Sequence, residues 1–171
     1  MAQTLNRSLT DLGALLHLVD PTLPIGGFNH SNGLETFVQQ GVVESKTTLE
    51  EYVQTQLLQN WIYNDGAYLS LAFDAMNEGN FDCLCELDWQ LSATKVARES
   101  REGSFKLGVR LLKIFIRYET HTLLTAYQQA IVEKRVQGYF PIVFAMVAQT
   151  MGLTKADTLY AFYYNAAVGA I

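Results

Sequence analysis

TLEEYVQTQLLQNWIYNDGAYLSLAFDAM, residues Thr48–Met76, sets Leu49, Val53, Leu57 and Trp61 at the spacing that stacks side chains on one face of a helix. Leu58 falls beside the same face. Thr48 with Glu51 forms a capping-box pattern for the start of this helix. Asn64-Asp65-Gly66 either kinks or breaks it, and the same period resumes over Ala67–Met76. Apolar residues recur at three-and-four spacing almost throughout the rest of the chain, and few segments alternate with period two. The chain therefore reads as all-α, one compact domain over residues 1–171 with about eight helices.

Towards the N-terminus, a first helix is predicted from Ser8 or Thr10 to Val19, with Leu12, Leu15, Leu16 and Val19 inward, and Asp20-Pro21 stops it. A second covers about Asn32–Gln40 and ends at Gly41. Between them runs Leu23-Pro24-Ile25-Gly26-Gly27-Phe28-Asn29-His30-Ser31-Asn32-Gly33-Leu34-Glu35. Its glycines permit sharp turning and close approach of another element to the main chain, and Asn29, Ser31 and Asn32 are caps for the helix that follows. Towards the C-terminus, Glu78-Gly79-Asn80 is a turn. Asp82 caps a fourth helix with Leu84, Leu87, Trp89 and Leu91 on it, and Thr94–Glu102 is a polar stretch. Gly103–Tyr118 forms a fifth helix carrying Phe105, Val109, Leu112 and Ile116, and Thr120–Val136 a sixth, interrupted by Gly138. Pro141 opens a seventh, to Met151, where its missing amide proton costs nothing. Thr154 with Asp157 opens the last, which bears Leu159, Phe162, Tyr163, Ala166, Ala167 and Ala170.

The chain of 171 residues is long enough to bury a core without disulfides or metal. Hydrophobic residues make up 49%, with nine Tyr and nine Phe, which implies an aromatic core or apolar surface kept for partners. A net charge of −5 without any long basic run excludes the footprint of a nucleic-acid binder. Met1–Ser8 is polar and no apolar window reaches about 18 residues, so neither a secretion signal nor a membrane span is expected. Cys83 and Cys85 point to opposite sides of a helix, suiting neither a disulfide nor a chelate; they read as buried or half-buried thiols of a cytoplasmic protein.

An enzyme should show a constellation, and only isolated candidates occur. His17, His30 and His121 never adopt the spacing that places two metal ligands on one helical face. His17 reads as a core or helix-end residue and His121 as a cap or surface residue, while His30, among glycines, is the best metal candidate of the three. Gly26-Gly27 is not followed by Lys-Ser or Lys-Thr, so no Walker loop exists. Glu99 and Glu102 with Arg98 and Arg101 read as a solvated ion-pair face, the alternative being a contact surface. No base adjoins the two cysteines. Tyr160, Phe162, Tyr163 and Tyr164 exceed what one helical stripe buries, which fits either a helix–helix interface or a wide core helix. No catalytic residue, metal ligand or cofactor is assigned.

The string LPIGGFNHSNGLE, preceded by Leu15-Leu16-His17-Leu18-Val19-Asp20 and followed by Thr36-Phe37-Val38-Gln39, resembles the N-terminal signature of the UreF family of urease accessory proteins. Looser matches follow in order: Asp65-Gly66-Ala67, Arg98-Glu99-Ser100-Arg101-Glu102-Gly103, Gly108-Val109-Arg110-Leu111-Leu112, Pro141-Ile142-Val143-Phe144 and Met151-Gly152-Leu153. The resemblance implies an all-α, non-catalytic assembly factor that forms a homodimer and binds the UreD (UreH) accessory protein. With UreD it would recruit or regulate the GTPase UreG and help deliver nickel to apo-urease. It also implies a partner-facing patch of Pro24, Gly26, Gly27, Phe28, His30, Ser31, Gly33, Leu34 and Glu35. Phe28 stands where an aromatic, often Tyr, is usual, Asn32 where an aromatic or glycine is common, and Ala145 where glycine is frequent. Family members continue beyond the equivalent of Ile171, so the chain is expected to be short at its C-terminus relative to them. A small helical metal-dependent enzyme using His30, and an unrelated helical interaction domain, are the alternatives.

Overall fold

A computed structural model of the chain describes residues 9–26, 33–118 and 120–170. Among these residues the regular structure is entirely helical and falls into eight helices. Helices α1 (Leu9–Leu18) and α2 (Leu34–Gln39) precede a long α3. Helix α3 starts as Lys46–Gln56, widens into a π-helical stretch, Leu57–Gly66, and resumes as Ala67–Asn77. There follow α4 (Phe81–Thr94), α5 (Arg98–Phe115), α6 (Thr122–Val132), α7 (Phe140–Thr150) and α8 (Lys155–Gly169).

Helix α7 is the centre of the core. Every residue from Pro141 to Ala148 is buried, and its main neighbours are the resumed half of α3 and α5. A helix apolar on all sides can lie only between others, and FPIVFAMVA is such a run. Phe144 meets the rings of Phe140 and Phe162 at 5.4 and 5.5 Å. The start of α7 is held by Asp88 of α4, a carboxylate only 1% exposed. It accepts from the amides of Gln137 (2.6 Å), Gly138 (2.9 Å) and Tyr139 (3.0 Å) and from the Tyr127 hydroxyl (2.7 Å). A carboxylate at a helix N-terminus complements both the free amides and the helix dipole, which makes a buried charge tolerable here. Burial first, and then the charge of Asp88, pushes the Tyr127 hydroxyl well above its ordinary pKa, so it stays a donor. Beside this anchor Gly108 lets α5 touch the backbone of residues 138–140: a Cβ there would meet the Gly138 carbonyl oxygen and lie 2.9 Å from the Phe140 nitrogen.

Residues 34–56 form an arm with a cluster of its own, Leu34, Val43 and Tyr52, against which Leu49 and Val53 pack. Phe37 and Tyr52 rings meet at 5.5 Å. Gly41 (φ 69°) ends α2 as expected, with the Val42 amide donating to Phe37 O.

Several local expectations are corrected. Leu12 and Leu16 are exposed and Val19 is half-buried, so α1 buries Leu15, as expected, together with Leu18. The residue preceding α2 is Gly33, in a left-handed conformation (φ 93°) without a side-chain cap; Asn29, Ser31 and Asn32 lie outside the described residues. The capping box of α3 is Ser45 with Thr48, one turn earlier than Thr48 with Glu51, since Ser45 is the residue with extended backbone. Of the two outcomes expected at Asn64-Asp65-Gly66, a kink or a break, the break does not occur: α3 runs through these residues in π geometry. Asn80, rather than Asp82, caps α4, its side chain accepting from the Cys83 amide at 3.0 Å. Trp89 is 64% exposed, its Nε1 donating to Arg135 O, while Asp88 takes the inward place. Helix α5 begins at Arg98 rather than Gly103, and α6 ends at Val132 because Lys134 adopts φ 59° and the Arg135 amide closes on Ala130 O. The expected caps Thr154 and His121 do act as caps.

Candidate functional site

The turn after α1 is fastened to α5. Leu23 and Ile25 are buried, Pro24 and Gly26 are exposed, and Arg110 Nη1 donates to Ile25 O at 3.0 Å. Gly26 has φ 77°, and a Cβ on it would collide with the same guanidinium. Glycine is thus favoured here by backbone angle, and a side chain would have to push the guanidinium off Ile25 O. On the far side Leu34 is buried in the arm cluster, and Gly33 and Glu35 are exposed. Gly27, Phe28, His30 and Ser31 of the expected patch lie outside the described residues.

Ile25, Gly33 and Glu35 also line a cleft of about 910 Å³. Its other walls are the end of α1, the π stretch of α3, the first turns of α5 and α7, and the last turns of α8. Segments far apart in sequence therefore meet here: Asp65, Glu99, Ser100, Gly103 and Pro141 all line the cleft together with the turn. Asp65 and Lys95 form an ion pair at 2.7 Å, their side chains 16% and 10% exposed. Around it the Thr94 hydroxyl donates to Asn64 Oδ1, and Arg101 Nη1 donates to Lys95 O. Tyr163 brings its hydroxyl against Gly66, where any Cβ would meet it, and burial raises that hydroxyl's pKa. At the mouth, the Thr22 hydroxyl and amide both donate to Asp20 Oδ1 at 2.7 Å, and these bonds hold the Asp20 carboxyl below its usual range.

The remaining candidates disperse. His17 is an exposed helix-end residue packed on Phe115 at 5.2 Å, and His121 caps α6. Among the described residues no three His, Cys, Asp or Glu side chains gather as a metal site, and no helix is long and apolar enough to cross a membrane. Cys83 and Cys85 are free, half-buried thiols whose pKa values burial raises. Arg98 and Lys106 both pair with Glu102 on the surface, whereas Arg101 turns to backbone carbonyls. The aromatic run of α8 divides: Phe162 is core, and Tyr160 and Tyr164 are exposed and stacked at 6.4 Å. The Asp65–Lys95 pair and Asp88 were not singled out from the sequence. Asp88 had a signal, an acidic residue set among Leu84, Leu87 and Leu91 at inward spacing; Lys95 had none.

Residues 43–171 match the family model described as UreF, a stretch that contains the Asp65, Arg98, Gly108 and Pro141 segments and leaves out the turn. A protein of Haemophilus influenzae (strain PittEE) named urease accessory protein UreF is 97% identical over the whole of this chain, which covers 73% of that protein. Its namesake in Actinobacillus pleuropneumoniae serotype 5b (strain L20) is 79% identical over 160 residues, 94% of this chain and 70% of the relative. The protein of that name from Lachnoclostridium phytofermentans is 34% identical over 151 residues, 88% of this chain and 66% of the relative.

Proposed function

The chain belongs to the UreF family, and from that membership we propose that it binds the UreD (UreH) accessory protein and recruits or regulates the GTPase UreG, helping nickel insertion into apo-urease. As a UreF protein it is an assembly factor of urease maturation rather than an enzyme. Nickel is cargo in this reading, and the chain contributes surface. It works in the cytoplasm as a homodimer, with residues 1–171 acting as one unit. The partner-facing patch is Pro24, Gly26, Gly27, Phe28, His30, Ser31, Gly33, Leu34 and Glu35.

The observation that carries this reading is the convergence on one cleft of the turn with the Asp65, Arg98–Gly103 and Pro141 segments. A core does not require short polar and glycine-rich segments to meet at a surface recess; a docking surface does. Co-purification from cells expressing the chain with UreD and UreG homologues of the same organism tests it, using the double variant Gly27→Val/Phe28→Ala. Loss of an aromatic anchor costs about 2 kcal/mol or more at an interface, roughly thirtyfold in affinity. The expected result is a depleted complex from a protein whose helicity and melting temperature match the parent. Undiminished recovery of both partners by the folded double variant would remove the turn from the interface.

A further inference from the structure

The turn after α1 closes on itself through local hydrogen bonds, Leu23 N to Asp20 O and Ile25 N to Leu23 O, which fix its shape but not its place on the body. Its place is set by the burial of Leu23 and Ile25 and by Arg110 of α5, whose Nη1 donates to Ile25 O at 3.0 Å. Arg110 is exposed, and among the described residues it forms no ion pair. Its charge is spent on a main-chain carbonyl, in a bond stronger than one between neutral groups. Gly26, at φ 77°, lets the guanidinium lie where a Cβ would otherwise be. The platform beneath Arg110 is firm: Gly108 packs directly on the backbone of residues 138–140, and Leu111 and Leu112 are buried. Asp88 holds the amides of Gln137, Gly138 and Tyr139 on the other side of that backbone segment. A line of tight contacts therefore runs from the buried start of α7 through α5 to Ile25 and Gly26.

We infer that Arg110 is a positioning residue of the partner-facing patch proposed above: it fixes where Pro24 and Gly26 stand against α5, and it acts through the turn rather than on the partner. The inference rests on that patch and adds a residue that is not one of its members. With the carbonyl of Ile25 released, the turn would stay folded but sample more than one position, and binding would then bear the cost of ordering it.

The test compares the full-length parent chain with Arg110→Met, Gly26→Ala, these two combined, Gly27→Val/Phe28→Ala, and the control Lys113→Met, which removes an exposed cation from the same helix. Each is co-purified with UreD and UreG homologues of the same organism, and hydrogen exchange is followed on the purified chain. Arg110→Met should lower recovery of the assembly about tenfold and speed exchange of the Leu23, Ile25 and Gly26 amides, with the melting temperature and the exchange of α7 unchanged. Lys113→Met should alter none of these. Gly26→Ala keeps the charge of Arg110 but puts a Cβ where its guanidinium lies, so the combined variant should lose no more than the worse of its two components. Losses that multiply would mean that Arg110 touches the partner itself, and they overturn the inference. A melting temperature that falls in step with recovery also overturns it, as does undiminished recovery by Arg110→Met where Gly27→Val/Phe28→Ala is depleted. Undiminished recovery by folded Gly27→Val/Phe28→Ala overturns the patch, and failure of the parent to recover the assembly overturns the accessory role; either takes this inference with it.

Discussion

The body around α7 and the arm of residues 34–56 are built from the same helical grammar, yet they bury very different amounts. In the body, eight consecutive residues of one helix are enclosed, and a carboxylate with four hydrogen bonds anchors its start. The arm encloses only Leu34, Val43 and Tyr52, and leaves Val38 and Val42 about half exposed. Its helices are specified mainly by their ends: the Ser45–Thr48 capping box and the closure at Gly41. Capping is worth about 1 kcal/mol and a buried aromatic several times that, so the body sets global stability and the arm opens locally at lower cost. The π stretch joins the two and also supplies Asn60, Trp61 and Asp65 to the cleft, so the recess lies at the junction of a stable unit and a weaker one.

Phe144→Ala is the strongest test of the comparison. Removing a fully buried ring from α7 should cost about 3–5 kcal/mol in urea unfolding. Asp88→Ala should follow at about 3 kcal/mol, because it strands three amides and the Tyr127 hydroxyl inside the protein; Asp88→Asn, which keeps an acceptor, should cost less. Tyr52→Ala should cost about 1–2 kcal/mol or less globally while speeding hydrogen exchange of arm amides and leaving those of α7 unchanged. A loss as large as that of Phe144→Ala would mean that the arm and body unfold as one. Ser45→Ala should be the mildest, roughly 1 kcal/mol or less, seen as faster exchange in the first turn of α3.

The legible parts of the fold were those whose cause lies within a few residues. Pro141 in the first turn of α7 and Thr154 before Asp157 were read correctly because each acts on its own turn. Lys134 ends α6 without any glycine to announce it, and Ser45 displaced Thr48 as a cap because backbone conformation, invisible in the residue names, decides which hydroxyl is placed to accept. At the candidate site, the glycine turn and the looser motifs could be found in the sequence as separate pieces. Their meeting could not.

What the sequence determined by itself is the all-α class and the order of its helices, because helical periodicity and punctuation by Gly and Pro operate over one or two turns. Tertiary structure alone decided that Asp88 turns inward while Trp89 turns out, that α3 passes through Gly66 in π geometry, and that Arg110 holds the turn at Ile25. Those outcomes depend on partners 51 and 85 residues away, as in Asp88 with Tyr139 and Arg110 with Ile25. A side chain's local pattern states which faces are open to it, and only the packed neighbours settle which of them is buried.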